Sequence, residues 1–276
     1  MEPLNPITSP HPYLHRSLDD GVLTLTLADP VARCGLDVET IEALDQTVWQ
    51  VASDPRVRLI VLQGLAGHFG RGLNDPAFTE MHRQDPQRVR QALYSLGRWR
   101  DGQLRTLPQP VLAVIEGPCA GVFITLVQAC DIALCSDDAQ FILKESDAHW
   151  LAQEPALQAG ADCLAARALT YHHLLGQPIS GQQAERMGLV TFSHPAEQLR
   201  HELMQLLVSL REKDALALQF TKETLAHAPS MSWDAAVNFT AAKFAEIKSR
   251  QAAGTSSRAA AVSDFLAGKN KPGLGG

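Results

Sequence analysis

An α/β layered domain followed by a helical C-terminal region is the architecture this 276-residue chain predicts. Three observations carry it. Strand-length apolar runs alternate with amphipathic helical stretches from Tyr13 onward. The stretch from Pro110 to Glu145 reads as strand, turn, helix, strand, strand: PVLAVI is a buried-type run, Gly117-Pro118-Cys119-Ala120-Gly121 breaks it, Val122 to Ala129 resume at helical length, and DIALCS and AQFILKE follow as short apolar runs. From Pro195 onward the pattern is helical throughout.

Residues 1–12 hold four prolines and few apolar side chains, and read as a flexible arm. The layered core is assigned to residues 13–195 and the helical region to 196–276. YLHRSL and VLTLTLADP are two strands joined at Asp19-Asp20-Gly21, a hairpin signal in which glycine supplies a positive φ. LDVETIEALDQTVWQVASDP puts Ile41, Leu44, Val48 and Val51 on one helical face, with Asp37 as N-cap. VRLIVLQGL is then a buried strand of the parallel type. DPAFTEMHRQ and DPQRVRQALYSLGRWRDGQLRTLPQP read as helices, the second with Val89, Leu93, Leu96 and Trp99 as its apolar stripe. SGQQAERMG is a short helix capped by Ser180, and LVTFSHP a closing strand. EQLRHELMQLLVSLREK, ALALQFTKETLAHA and SWDAAVNFTAAKFAEI are the terminal helices, with no linker or internal repeat between them.

Composition narrows the function classes. With 24 Lys and Arg against 30 Asp and Glu the net charge is −6, so no general nucleic-acid surface is expected and an anionic ligand must be met locally. Five cysteines at Cys34, Cys119, Cys130, Cys135 and Cys163 have no zinc-like spacing, and their odd number argues against a complete disulfide framework. No run is long enough to span a membrane, and MEPLNPITSPHP is too polar for a signal peptide. A cytoplasmic protein is expected. His172 and His173 are adjacent and point different ways on a helix, so no metal site is expected there.

Two glycine-bearing turns carry the chemistry. The segment Gly64 to Gly72 lacks the Lys-Ser/Thr ending of a phosphate loop and the spacing of a dinucleotide fingerprint. The turn at Gly117–Gly121 sets a helix N-terminus at the mouth of a sheet, where backbone N–H groups without intrahelical partners suit a developing oxyanion.

The strand PVLAVIEG, its turn, the helix ending in ACDIAL and the following AQF-x3-E resemble the crotonase (enoyl-CoA hydratase/isomerase) superfamily. VRLIVLQGLAGHFGRGLND is similar to that family's strand and first oxyanion loop, LLGQPISGQQAERMGLV to its late helical hairpin, and FLAGKNKP to its C-terminal ending. The resemblance runs in the family's order from Gly21 to Pro272. It implies an α/β crotonase-like ββα superhelix (the ClpP/crotonase fold) with a helical C-terminal trimerisation region, hence a homotrimer or homohexamer. It also implies an acyl-thioester substrate, carried on CoA or on an acyl carrier protein, with no cofactor beyond the CoA of the substrate itself.

Site residues follow from the same resemblance. The two backbone donors on the thioester carbonyl match Leu73 and Val122. The common glycine run is Gly121-Val122-Phe123 here, which adds β-carbons beside the ligand. Hydratases of the common type use two glutamates; the first position is Thr125, which cannot serve as a carboxylate base, and the second is Glu145, the acid/base candidate. A salt-bridged strand-end carboxylate beside Lys144 is the alternative for Glu145. The single carboxylate, with a small hydroxyl residue in the first position, and the tail KNKPGLGG are similar to the hydroxycinnamoyl-CoA hydratase-lyases, although SWDAAVNFTAAKF has phenylalanines where that subgroup has tyrosines. Arg33 and Lys269 are candidates to meet CoA phosphates. The helices after the first loop border the acyl pocket in the family, which makes Phe78, Met81, Tyr94 and Trp99 its candidate lining; Phe78 and Trp99 are assigned to it with His149, and ordinary core packing is the alternative. After Glu145 the family's Gly- and Pro-rich loop is replaced by Ser146, Asp147, His149, Trp150 and Glu154. The expected activity is hydration or cleavage of an acyl-CoA. Isomerisation, dehydration or decarboxylation of a carrier-bound acyl group in a polyketide pathway is one alternative, and a non-catalytic scaffold is another.

Overall fold

A computed structural model of the chain describes residues 11–28, 35–52, 54–65, 67–99, 103–143 and 166–250. The chain divides into two compact units, Met1–Ser209 and Leu210–Gly276. The first opens with a hairpin of β1 (Leu14–Asp19) and β2 (Val22–Leu27), turned at Asp20 and Gly21 with φ of 43° and 76°. Two consecutive positive φ values are what a two-residue turn between twisted strands requires. Helix α1 (Val38–Ala52) follows, with the Asp37 carboxylate accepting from the Thr40 N–H at 2.8 Å and Ile41, Leu44, Val48 and Val51 all buried, as the periodicity predicts.

Strands β3 (Leu59–Gly64), β4 (Val111–Ile115), β6 (Ile132–Ser136) and β9 (Phe192–His194) extend the hairpin into a six-stranded sheet of order β1-β2-β3-β4-β6-β9. Beyond the hairpin every pairing is parallel. That explains the near-continuous apolar runs LIVL and VLAVI, which are buried along their whole length. Asp131 fixes the β4–β6 register: its carboxylate accepts from the Val111 N–H at 2.7 Å while its own N–H donates to Val111 O at 2.8 Å. The acidic residue of ACDIAL therefore has a structural task.

A second layer holds the short strands β5 (Pro118–Ala120), β7 (Gln140–Ile142) and β8 (Ile179–Ser180), in the order β5-β7-β8. After β4 the chain crosses to β5 and turns into helix α4 (Val122–Ala129); after β6 it crosses to β7. The turn after β3 does the same on a smaller scale, since Gly70 bridges Cys119 of β5 before helices α2 (Asp75–Gln84) and α3 (Pro86–Arg98). Strand in the large sheet, strand or bridge in the small layer, then helix: this repeated unit is the ββα superhelix of a crotonase fold. Helix α5 (Ala166–Leu175), helix α6 (Gly181–Met187) and most of α7 (Ala196–Arg211) complete the unit. Ser180 and Gln183 cap α6 reciprocally, and Gly188 ends it at φ 78°.

One expected stripe is corrected. On α3 the buried residues are Val89, Ala92 and Leu96, continued by Trp99, whereas Leu93 is 40% exposed. At about 100° per residue Leu93 lies to one side of Val89 while Ala92, Leu96 and Trp99 lie to the other. The second unit contains α8 (Ala215–His227), capped by Asp214, and α9 (Trp233–Arg250). Lys243 of α9 reaches Glu223 at 2.7 Å and lies over the rings of Phe220 and Phe239. Among the described residues no helix is long and apolar enough to cross a membrane.

Phe123 occupies the join between the layers. Its ring is fully buried, edge-on to Phe69 with centroids 5.9 Å apart, and it fills the space where a β-carbon of Gly70 would stand. Gly70→Ala is therefore expected to force ring and loop apart and to cost about 1–3 kcal/mol, read as a lower denaturant midpoint. An unchanged midpoint would mean the ring repacks freely.

Candidate active site

The two glycine-bearing turns meet. Gly72 (φ 102°) and Gly121 (φ 56°) both adopt backbone conformations that side chains disfavour. A β-carbon on Gly121 would stand 3.5 Å from Gly72 Cα, and one on Gly72 would stand 3.9 Å from Ala120 O. Leu73 and Val122, the next residue in each turn, are thereby brought to the same place, both half-buried.

Each turn is pinned by neighbours of these residues and not by the residues' own N–H groups. Gly70 donates to Pro118 O at 3.1 Å and accepts from Ala120 N–H at 2.9 Å, which ties the first turn to β5. Leu36 N–H donates to Gly72 O and Asn74 N–H donates to Leu36 O, both at 2.8 Å. In such a parallel bridge the residue between the two bonded groups faces the opposite way, so the Leu73 N–H is directed away from Leu36. In the second turn Gly121 N–H donates to Ile142 O at 3.4 Å and Ile124 N–H donates to Gly121 O at 3.0 Å. Val122 is the first residue of α4, where an N–H has no intrahelical acceptor. None of the described residues accepts a hydrogen bond from Leu73 N–H or Val122 N–H. Two donors without an acceptor among the described residues, on adjacent turns and one of them at the positive end of a helix, are groups of the kind that can stabilise an anion.

Comparison with known proteins gives the family. The family model described as enoyl-CoA hydratase/isomerase matches residues 17–260. The chain belongs to the enoyl-CoA hydratase/isomerase family. A hydroxycinnamoyl-CoA hydratase-lyase of Pseudomonas fluorescens is 26% identical over 259 residues, covering 93% of this chain and 93% of that protein. A mitochondrial Delta(3,5)-Delta(2,4)-dienoyl-CoA isomerase of Dictyostelium discoideum is 27% identical over 233 residues, 80% of this chain and 79% of that one. Among solved structures, Pseudomonas aeruginosa AtuE superposes with a TM-score of 0.81 at 25% identity, covering 92% of this chain and 96% of its own. Human enoyl Coenzyme A hydratase domain-containing protein 3 superposes with a TM-score of 0.80 at 21% identity, over 94% and 99% of the two chains, and shows the shared fold.

Around the two turns the remaining candidates separate. Thr125 lies one turn into α4, 2% exposed, and its hydroxyl has no hydrogen-bond partner among the described residues. Phe123 does not crowd the turn as the sequence suggested, because its ring enters the core against Phe69 and Gly70. Phe78 and Trp99 sit in the hydrophobic core, where the Trp99 indole N–H donates to Asp45 Oδ1 at 3.3 Å; Met81 packs against that core and Tyr94 is exposed. Glu145, Arg33, His149 and Lys269 lie outside the described residues. Among the described residues no cluster of His, Cys, Asp and Glu could hold a metal ion.

Two features escaped the sequence reading. Cys119 of β5 and Cys135 of β6 are both fully buried. Burial, and to a smaller extent each other's proximity in the case of Cys119, pushes the thiols up, that of Cys135 to about 12. They pack the layer behind the site and are not nucleophiles near neutral pH. The second is Gln128, 7% exposed on α4, with both carboxamide atoms unpartnered among the described residues. A glutamine inside the run VFITLVQA, apolar but for Thr125, was the signal for it.

Proposed function

We propose that this chain is an acyl-CoA lyase/hydratase in which Leu73 and Val122 bind the thioester carbonyl oxygen and Glu145 moves the protons. The observation that carries this reading is the pair of unpartnered backbone N–H groups on two turns held together at Gly72 and Gly121. Donors already fixed in place need no reorganisation as charge develops, so they stabilise the enolate form of the thioester more than its ground state. Full alignment with a hydratase-lyase, across 93% of both chains, supports water addition and carbon–carbon cleavage as the chemistry.

In hydration, water oxygen bonds to the β-carbon while the Glu145 carboxylate takes one water proton, and the electron pair of the double bond passes to the α-carbon as an enolate held by the two N–H groups. The protonated Glu145 then returns a proton to the α-carbon. In cleavage, the same carboxylate removes the β-hydroxyl proton, the bond between α- and β-carbons breaks, a carbonyl product leaves, and the enolate is reprotonated at the α-carbon. One carboxylate suffices for both, because in each half it is restored to its starting state. Thr125 has no acidic proton at neutral pH and serves to orient water or the β-hydroxyl.

The proposal extends to assembly. Helix α9 buries none of its residues and leaves Trp233, Val237 and Phe244 exposed along one stripe, which supports a homotrimer or a homohexamer. Cytoplasmic location and CoA contacts from Arg33 and Lys269 belong to the same reading.

Calorimetric titration tests the binding half. Acetyl-CoA and acyl-pantetheine analogues should bind and should compete with each other, because both present the carbonyl to the same N–H pair. Absence of heat and of competition would remove the thioester site, whereas binding without turnover of any acyl-CoA would favour the scaffold reading that Thr125, in place of a carboxylate, leaves in view.

A further inference from the structure

Helix α4 is buried almost all round, and Phe123, Ile124, Leu126 and Val127 all join the hydrophobic core. Its polar side chains are Thr125 and Gln128, 2% and 7% exposed. At about 100° per residue these two lie roughly 60° apart, so they form a single polar seam along one edge of an apolar helix. Among the described residues the Thr125 hydroxyl and both the Oε1 and Nε2 atoms of Gln128 have no hydrogen-bond partner. A buried carboxamide with both ends unpaired is strongly disfavoured, so a ligand group that satisfies both ends would be strongly favoured there.

The seam leads to the reaction centre. Side chains of a helix lean toward its N-terminus, so Gln128 leans toward Thr125 and Thr125 toward the open N–H of Val122. From Val122 to Gln128 the helix rises about 9 Å. An acyl chain anchored by its carbonyl at Val122 and lying along this edge would meet Thr125 near the reacting carbons and Gln128 farther out.

We infer that Gln128 is a specificity-determining residue, whose carboxamide hydrogen-bonds a hydroxyl on the acyl group beyond the reacting carbons. This rests on the acyl-thioester reading above. A hydroxyl fits both unsatisfied ends at once, because it accepts from Nε2–H and donates to Oε1. An apolar acyl chain would leave both ends unpaired, so the same residue selects against unsubstituted acyl groups.

The test uses two pairs of CoA thioesters in which a hydroxyl replaces a methyl group at one position: 4-hydroxycinnamoyl against 4-methylcinnamoyl, and 5-hydroxypent-2-enoyl against hex-2-enoyl. Affinity by calorimetry and kcat/KM are measured for the full-length wild type, Gln128→Leu and Gln128→Met. The wild type is expected to prefer the hydroxylated member of at least one pair by roughly tenfold. Both variants should erase that preference while binding the methyl analogue at least as well, and should melt no lower than wild type, since an unpaired polar group has been replaced by an apolar one of similar size. Absence of a preference in the wild type, or its survival in both variants, overturns the inference and assigns Gln128 to a buried water or a neighbouring chain. Failure of all four thioesters to bind overturns the acyl-thioester reading and this inference with it.

Discussion

Val122→Pro is expected to fold like the wild type and to lose roughly 10²–10³ in turnover. Proline normally damages a helix because it removes an N–H that the helix needs and clashes with the preceding turn. At the first helical position neither applies, since that N–H has no intrahelical acceptor and proline's fixed φ already suits the helix. The residue before a proline is ordinarily restricted by its β-carbon, and here it is Gly121, which has none and lies at φ 56°, ψ −127°, outside the helical region. None of the described residues accepts from the Val122 N–H, so the substitution deletes a donor that holds nothing in the free protein. Val122 does pack against the core, so Val122→Ala serves as the control that loses packing and keeps the donor. The two variants should melt similarly and differ sharply in kcat, with a smaller difference in substrate affinity. Equal turnover would show that the carbonyl is not held at this helix end.

Backbone chemistry of this kind is legible in sequence for a physical reason. A donor on the main chain depends on where the chain turns, and turns are written in glycine, so Gly72 and Gly121 mark both turns in the sequence, whereas the choice of Leu73 and Val122 within them comes from the family resemblance. The hairpin at Asp20-Gly21 is legible in the same way, and the caps at Asp37 and Ser180 are legible because a short polar side chain stands just ahead of a helical run; the reciprocal bond from Gln183 is not. Strands β5 and β8 are not legible, because two or three residues cannot establish an alternation and their pairing is fixed by β7, whose short apolar run AQFILKE is the one member of that layer legible as a strand. Phe123 is another limit. As a residue in place of a glycine it looked like an obstruction, and only the space above Gly70 decides that its ring turns inward. Gln128 shows the reverse case, since a polar residue in a buried helix is visible in sequence but its lack of partners is not.

Glu145→Gln should lower turnover by roughly 10²–10⁴ with little change in thioester binding. The amide keeps the size and most of the hydrogen bonding of the carboxylate while removing its ability to accept and return a proton. The large effect follows from Thr125: where a second carboxylate would share the proton transfers, this chain has a buried hydroxyl that is neither acid nor base near pH 7. Thr125→Ala should accordingly cost far less turnover, and it should cost the fold little, because the hydroxyl it removes has no hydrogen-bond partner among the described residues. Rates of wild type, Glu145→Gln and Thr125→Ala on one identified acyl-CoA decide the matter. Equal rates for wild type and Glu145→Gln would take Glu145 out of the mechanism and pass its role to Asp147 or His149 in the segment that departs from the family pattern. Loss of turnover in Thr125→Ala as deep as in Glu145→Gln would mean that positioning the water, and not moving its proton, limits the reaction.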